Sequence, residues 1–379
     1  MSVVKIGIIG GGIGGVATAV ALHQVGINAV VYERAPRLRE AGVGMMLWPN
    51  ATRVLRDLGL LEHILARSGP NTHFLVRARG GEVLMNIALG DSDVPAICAS
   101  RADLLSVLIA ALPPESIRLG RELQHLEQVG DKVRIYFASG VVKEHDAVIG
   151  ADGIRSRVRS ALFGASDPIY RGYTVWRGMA SYDGRAGRSG TNSETWGAGH
   201  RFGILNTGQG KFTWYATANV PSDHPDAPGG RKRELRQTFA SWHAPIPELI
   251  EATDEAAILK NGAYDLAPLR RWGDRLVTLL GDAAHPCTPN LGQGGGLALE
   301  DALVLARCLE KGTSVEAALR CYESLRCNRT SHMQQRARLM GRVGQWENRV
   351  FVAARQAVTS MLPASLFEHN LRRVYSYQT

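Results

Sequence analysis

A run of six residues, Gly10 to Gly15, contains five glycines and lies between two apolar stretches; nothing else constrains the chain as strongly. Lys5-Ile-Gly-Ile-Ile9 reads as a buried strand, Val16 to Gln24 as a helix, and Ala29-Val-Val-Tyr32 as a second strand that ends in Glu33. Strand, glycine turn, helix and strand in this order form the βαβ unit that binds dinucleotides. Gly10 makes the tight turn, Gly12 lets a pyrophosphate approach the backbone, and Gly15 lets helix and strand pack. The acid arrives 18 residues after Gly15, where it can hold ribose hydroxyls.

A second glycine-rich stretch has the same logic. Arg275-Leu-Val-Thr-Leu-Leu280 reads as a short buried strand, and Gly281 to Gly296 (GDAAHPCTPNLGQGGG) then runs into a helix expected over Leu297 to Leu309. The unpaired N–H groups at that helix start favour an electron-rich ligand edge, and the glycines let amides lie flat against a planar ring. Asp282 is placed to accept hydrogen bonds from ligand hydroxyls.

Three motifs taken together resemble the class A flavoprotein aromatic monooxygenases, the p-hydroxybenzoate hydroxylase-like family. They are Gly10 to Gly15 with Glu33, the segment Ala151-Asp-Gly-Ile-Arg-Ser-Arg-Val-Arg159, and Gly281-Asp282 with Pro289-Asn-Leu-Gly-Gln-Gly294. Their order and spacing cover nearly the whole chain. The resemblance implies an α/β fold, with a Rossmann-type FAD-binding domain, an inserted antiparallel-sheet substrate domain and a helical C-terminal region. Residues 1–70, 101–170 and 276–330 would build the FAD-binding part, 71–100 would add substrate-side strands, 171–275 the inserted sheet, and 331–379 the helical region.

The same resemblance assigns cofactor contacts to Gly10, Gly12, Ile13, Gly14, Gly15, Glu33, Arg34, Val43, Gly44, Arg101, Leu123, Asp152, Asp282, Gly292, Gln293, Gly294, Gly295 and Gly296. Arg101 opens a helix capped by Ser100, where a cation is poorly placed for the helix dipole unless it faces a phosphate. Arg37 to Asn50 reads as a crossover loop. Its Gly42 and Gly44 would let it press on the cofactor, and Met45, Met46 and Trp48 are unusually apolar for a loop. No second GxGxxG occurs, so NADH or NADPH would visit through a surface groove. The activity implied is oxygen insertion, in which NAD(P)H reduces the flavin, O2 adds at its C4a carbon, and the hydroperoxide transfers an oxygen to a small aromatic substrate.

Between residues 171 and 275 alternating polar and aromatic residues read as strands of a separate sheet. In Lys211-Phe-Thr-Trp-Tyr-Ala-Thr217, Thr213, Tyr215 and Thr217 share one face. Met46, Trp48 and Thr213 are the expected substrate contacts. Tyr215 and Arg201 are the expected catalytic groups, with Arg201 the one cation near the ring, and Pro289 borders the oxygen site. Relatives specific for hydroxynicotinate carry a histidine where Met46 stands, and urate-type relatives carry an acid where Asn290 stands. A hydroxylated aromatic or N-heteroaromatic ring with at most one anionic group is therefore expected. A flavin dehydrogenase or reductase, an epoxidase of the same fold, and a non-catalytic flavin-binding redox sensor use the same parts.

Composition narrows the classes further. The 379 residues are 45% hydrophobic, enough for a large core, and no stretch reaches the roughly 18 apolar residues of a membrane span. Five cysteines form no CxxC pair, which points to a reducing cytoplasm and no metal site. The net charge is +9, with seven Arg against two Glu in the last 49 residues. The basic residues form no dense run, so an anionic substrate or NADPH accounts for the charge better than nucleic acid.

Overall fold

The computed structural model describes residues 4–38, 43–89, 92–182 and 190–377, and the side chains of all of these except Asn370 and Arg373. Its centre is a five-stranded sheet in the order Val277–Leu279, Ala147–Gly150, Lys5–Ile9, Asn28–Tyr32, Ile117–Arg118. Every pairing is parallel. Strands buried on both faces need continuous apolar side chains, and Ala147–Gly150 and Val277–Leu279 are buried throughout.

The helix Ile13–Gln24 packs against both this sheet and the later helix Gly294–Lys311. The turn before it needs glycine: Gly10 has φ +115°, and a Cβ there would lie 2.3 Å from the Ala151 carbonyl oxygen. The turn thus brings the first and second motifs together.

A seven-stranded sheet forms the second layer, in the order Leu259–Asp265, Ile169–Ser181, Lys211–Ala218, His200–Gly208, Thr191–Trp196, His73–Ala78, Val83–Ala88. Phe212, Trp214 and Ala216 point into a core with Phe202, with Phe239 and Ile246 of the covering helices and with Trp242 in the turn between them, which leaves Thr213, Tyr215 and Thr217 on the opposite face. The sheet is not wholly antiparallel, because Thr191–Trp196 pairs parallel with His73–Ala78. That strand enters from a distant part of the chain, so no hairpin forces it to run the other way.

One other expectation needs correction. The segment expected as a crossover loop contains the strand Gly44–Leu47, paired antiparallel with Ile97–Ser100. Met45 and Met46 lie in this strand and Trp48 caps the next helix, and all three pack against core clusters, which explains the apolar composition; Gly42 lies outside the described residues. The helix Val315–Gly344 runs unbroken through position 330, and Arg349–Met361 and Ala364–Tyr375 follow it.

Candidate functional site

Two helix N-termini open on one groove. Neither the Ile13–Gln24 helix nor the Gly294–Lys311 helix has a side-chain cap, so first-turn N–H groups of both stay available to a ligand. Gly14 packs tightly instead: a Cβ there would lie 2.8 Å from Leu280. Glu33 receives N–H bonds from Gly11 at 2.8 Å and Ala35 at 2.9 Å, one on each carboxylate oxygen. The carboxylate is thereby held beside the glycine turn with lone pairs to spare. Arg34 is exposed. The Arg101 guanidinium comes within 3.8 Å of where a Gly12 Cβ would stand, and the Arg101 amide donates to the Val43 carbonyl at 3.1 Å.

Asp282 stands on the wall of the same groove. Its carboxylate is accessible and accepts no hydrogen bond among the described residues. The surrounding protein nevertheless desolvates it and pushes it above the usual carboxylate range, against the pull of His285 and Arg101. Gly292 has φ +61° and lies against Trp48 and Met46, with a Cβ placed 3.3 Å from the Trp48 indole nitrogen. Gln293 accepts from Asn50 at 2.9 Å, while its own Nε2 is buried without an acceptor. Buried donors are normally paired. A ligand edge rich in acceptors over Gln293 and Gly294 to Gly296 would complete them. Two open helix starts, two carboxylates with free lone pairs and an orphaned amide together fit a dinucleotide flavin.

A cavity of about 370 Å³ continues this groove, with Asp282, Pro289, Arg155, Arg177, Asn261 and Tyr264 among its walls. Arg177 was not singled out from the sequence. It makes no hydrogen bond or ion pair with the described residues, and burial pushes it below the ordinary guanidinium value. Directly opposite it on the neighbouring strand is Tyr215. The Tyr215 ring lies flat over Gly203, where a Cβ would come within 2.1 Å of it. Burial first, then Glu194, holds the Tyr215 phenol well above its usual value, so it is a neutral donor. The clue in the sequence was Tyr173, Val175 and Arg177 alternating on one face of a strand.

Arg201 takes a different position from that expected. It is 2% exposed, and its guanidinium donates to Gln345 at 2.7 Å, Glu194 at 3.0 Å and Asn290 at 2.7 Å. Burial is the largest influence and works against its charge, but Glu194, Tyr173 and Tyr215 together outweigh it and raise the value. Arg177, unlike Arg201, makes no hydrogen bond or ion pair among the described residues. Asn290 in turn donates to the Tyr173 hydroxyl at 2.9 Å.

The remaining expected contacts divide into two groups. Met46 and Trp48 are buried, Trp48 donating to the Leu291 carbonyl at 3.1 Å and stacking on Tyr375. Thr213 bridges strands, accepting from the Gly44 amide and donating to the Gly178 carbonyl, each at 3.0 Å. Asp152 caps a helix, accepting from Ser156, Arg157 and Val158, and the Leu123 carbonyl accepts from Arg157. The polar groups of Thr213 and Asp152 are thus engaged within the chain. Met45, singled out in the sequence with Met46 and Trp48, covers Gly295 with its thioether end.

A family model described as FAD binding domain matches residues 3–337. The aurachin C monooxygenase/isomerase of Stigmatella aurantiaca is 38% identical over 374 residues, covering 97% of this chain and 96% of that protein. The 6-hydroxynicotinate 3-monooxygenase of Pseudomonas fluorescens is 34% identical, covering 87% and 89%. Among solved structures, Klebsiella pneumoniae HpxO complexed with FAD and uric acid superposes with a TM-score of 0.93 at 27% identity, covering 98% and 97%.

Proposed function

The chain belongs to the FAD binding domain family of flavin-dependent monooxygenases, and from that premise we propose that it hydroxylates an aromatic or N-heteroaromatic small molecule with at most one anionic group. In the balance, NADH or NADPH, a proton, O2 and the ring C–H give NAD(P)+, water and the ring C–OH. Bound FAD supplies the two-electron redox chemistry and the activation of O2 that side chains lack.

The residues of this chain divide the remaining work. Glu33 would hold the AMP ribose, and Gly10, Gly12 and Ile13, with Arg101, would take the pyrophosphate, while Gly14 and Gly15 let the helix pack close behind them. Asp282 takes the ribityl hydroxyls, and amides from Gly292 to Gly296, with Gln293, stabilise negative charge at the ring edge. Pro289 borders the reacting face, and Met46, Trp48 and Met45 exclude water from the side of the Gly44–Leu47 strand.

The observation that carries the substrate assignment is the unpaired Arg177, which shares a cavity wall with Asp282 and Pro289 and has Tyr215 directly opposite it on the neighbouring strand. A desolvated guanidinium favours a phenolate, carboxylate or ring carbonyl. A neutral phenol beside it donates to oxygen that gains charge as the ring is attacked. The substrates for which relatives are named, 6-hydroxynicotinate, 3-amino-4-hydroxybenzoate and urate, are rings bearing such oxygens.

The test is NAD(P)H oxidation by purified protein against phenols, hydroxypyridines and quinolones, with product masses measured. One added oxygen on a ring carbon is expected. Substrate oxidation without oxygen gain would make the protein a dehydrogenase or reductase, and addition across an isolated double bond an epoxidase.

A further inference from the structure

The helix Arg349–Met361 is turned the wrong way round for a surface helix. Amphipathic helices bury their apolar stripe and leave polar residues in water. Here Arg355 and Thr359 are 4% and 6% exposed, while Val350, Phe351, Val358 and Met361 are 72%, 55%, 55% and 82% exposed. The inward face is held by polar bonds: Arg355 donates to the carbonyls of Val343, Gly344 and Gly197 at 2.8 to 2.9 Å and lies over the Trp196 ring. That anchoring fixes which face points out. Phe351 and Val358 are seven residues apart and Val358 and Met361 three, and with Val350 they fall within about 100° of the helix circumference, which makes one stripe. Leu366 on the next helix is also exposed, at 51%.

A stripe this apolar needs a cover, and charge decides which. The chain carries a net charge of +9; in its last 49 residues Arg355 is turned inward and Arg338 pairs with Asp265, so the sign of this surface rests on the arginines that stay exposed. Arg342 and Arg349, at the ends of the two helices that meet here, are exposed. Two copies facing each other would oppose like charges, whereas an anionic lipid surface attracts them and accepts the apolar side chains. No helix among the described residues is long and apolar enough to cross a membrane, so the attachment is peripheral.

We propose that the outward face of Arg349–Met361 docks the protein on anionic lipid bilayers, lying in the interface plane. This does not depend on which ring the site hydroxylates. Purified full-length protein carrying its flavin is floated with vesicles of phosphatidylcholine containing about 30% phosphatidylglycerol, and with phosphatidylcholine alone. Wild type should float with the anionic vesicles, less at high salt, and stay behind with the neutral ones. The double variant Phe351→Asp, Met361→Asp should lose at least about tenfold in partitioning with unchanged flavin absorbance and thermal midpoint. Absence of flotation on anionic vesicles overturns the proposal, as does equal flotation of the double variant. A concentration-dependent dimer abolished by the same substitutions, without vesicle binding, assigns the face to a second copy instead.

Discussion

Arg201 and Glu194 form an ion pair 3.0 Å long with side chains only 2% and 10% exposed, and the same guanidinium reaches Gln345 near the end of a helix 144 residues away. The pair therefore ties the seven-stranded sheet to the C-terminal helices. Removing one partner of a buried pair leaves an uncompensated charge, at a cost of about 3–5 kcal/mol. Glu194→Leu should lower unfolding stability by that order, and Arg201→Met added to it should restore part of the loss. Denaturant unfolding of the two variants checks this. An Arg201→Met protein of wild-type stability with a raised KM would instead give Arg201 a direct hold on substrate.

Arg177 should behave in the opposite way. With no partner to lose, Arg177→Met is expected to change stability by less than about 1 kcal/mol. A charge-assisted hydrogen bond to substrate contributes about 1.5–3 kcal/mol, so KM for a ring bearing an anionic or carbonyl oxygen should rise about 10- to 100-fold. Unchanged kinetics in that variant would remove Arg177 from the site.

Tyr215 lies across the strand pair from Arg177, and its phenol is held neutral at any working pH by burial and Glu194. Tyr215→Phe should slow hydroxylation by about 10- to 100-fold, and more of the NAD(P)H consumed should appear as hydrogen peroxide. Bound flavin, read at about 450 nm, should stay the same. Wild-type coupling of NAD(P)H to product would place the donor elsewhere.

Glu33 is held by the amides of Gly11 and Ala35, which aims it at a ribose. FMN lacks that ribose. Flavin released from the protein should chromatograph as FAD, and Glu33→Ala should weaken FAD binding by roughly tenfold or more, measured by equilibrium dialysis. FMN binding as tightly as FAD would falsify this assignment.

His145 sets a pH limit on the first motif. It is 6% exposed, its Nε2 meets the Tyr32 hydroxyl at 2.9 Å, and its Nδ1 is buried without a partner. Burial, opposed by Asp146 and aided by Lys5 and Lys143, pushes its value from 6.5 down to about 4. The unfolded chain therefore binds the proton first as pH falls. Stability from the neutral histidine is complete above pH 6.5 and is lost toward pH 4, by on the order of 2–3 kcal/mol. His145→Gln cannot titrate, so its thermal midpoint should fall less than that of wild type across this window. Parallel curves would show that other groups govern the acid limit.

What was legible in the sequence is what local rules govern. The glycine turns, the apolar strands feeding them, the acid at Glu33 and the presence of a helix after the second glycine stretch, expected from Leu297 and found from Gly294, depend on neighbours a few residues apart. Backbone sterics and hydrogen-bond accounting act at that range. The alternation of Thr213, Tyr215 and Thr217 was legible because side chains alternate along any strand. Tertiary structure alone decided which arginine is free. Arg201 finds acceptors on Glu194, Asn290 and Gln345, two of them distant in the chain, whereas Arg177 meets none among the described residues. Pairing across the fold likewise turned Gly44–Leu47 into a strand, engaged Thr213 and Asp152 within the chain, and set the apolar stripe of Arg349–Met361 outward. A residue's type says what bonds it can make; the partners that fill or leave open those bonds are brought to it by long-range packing.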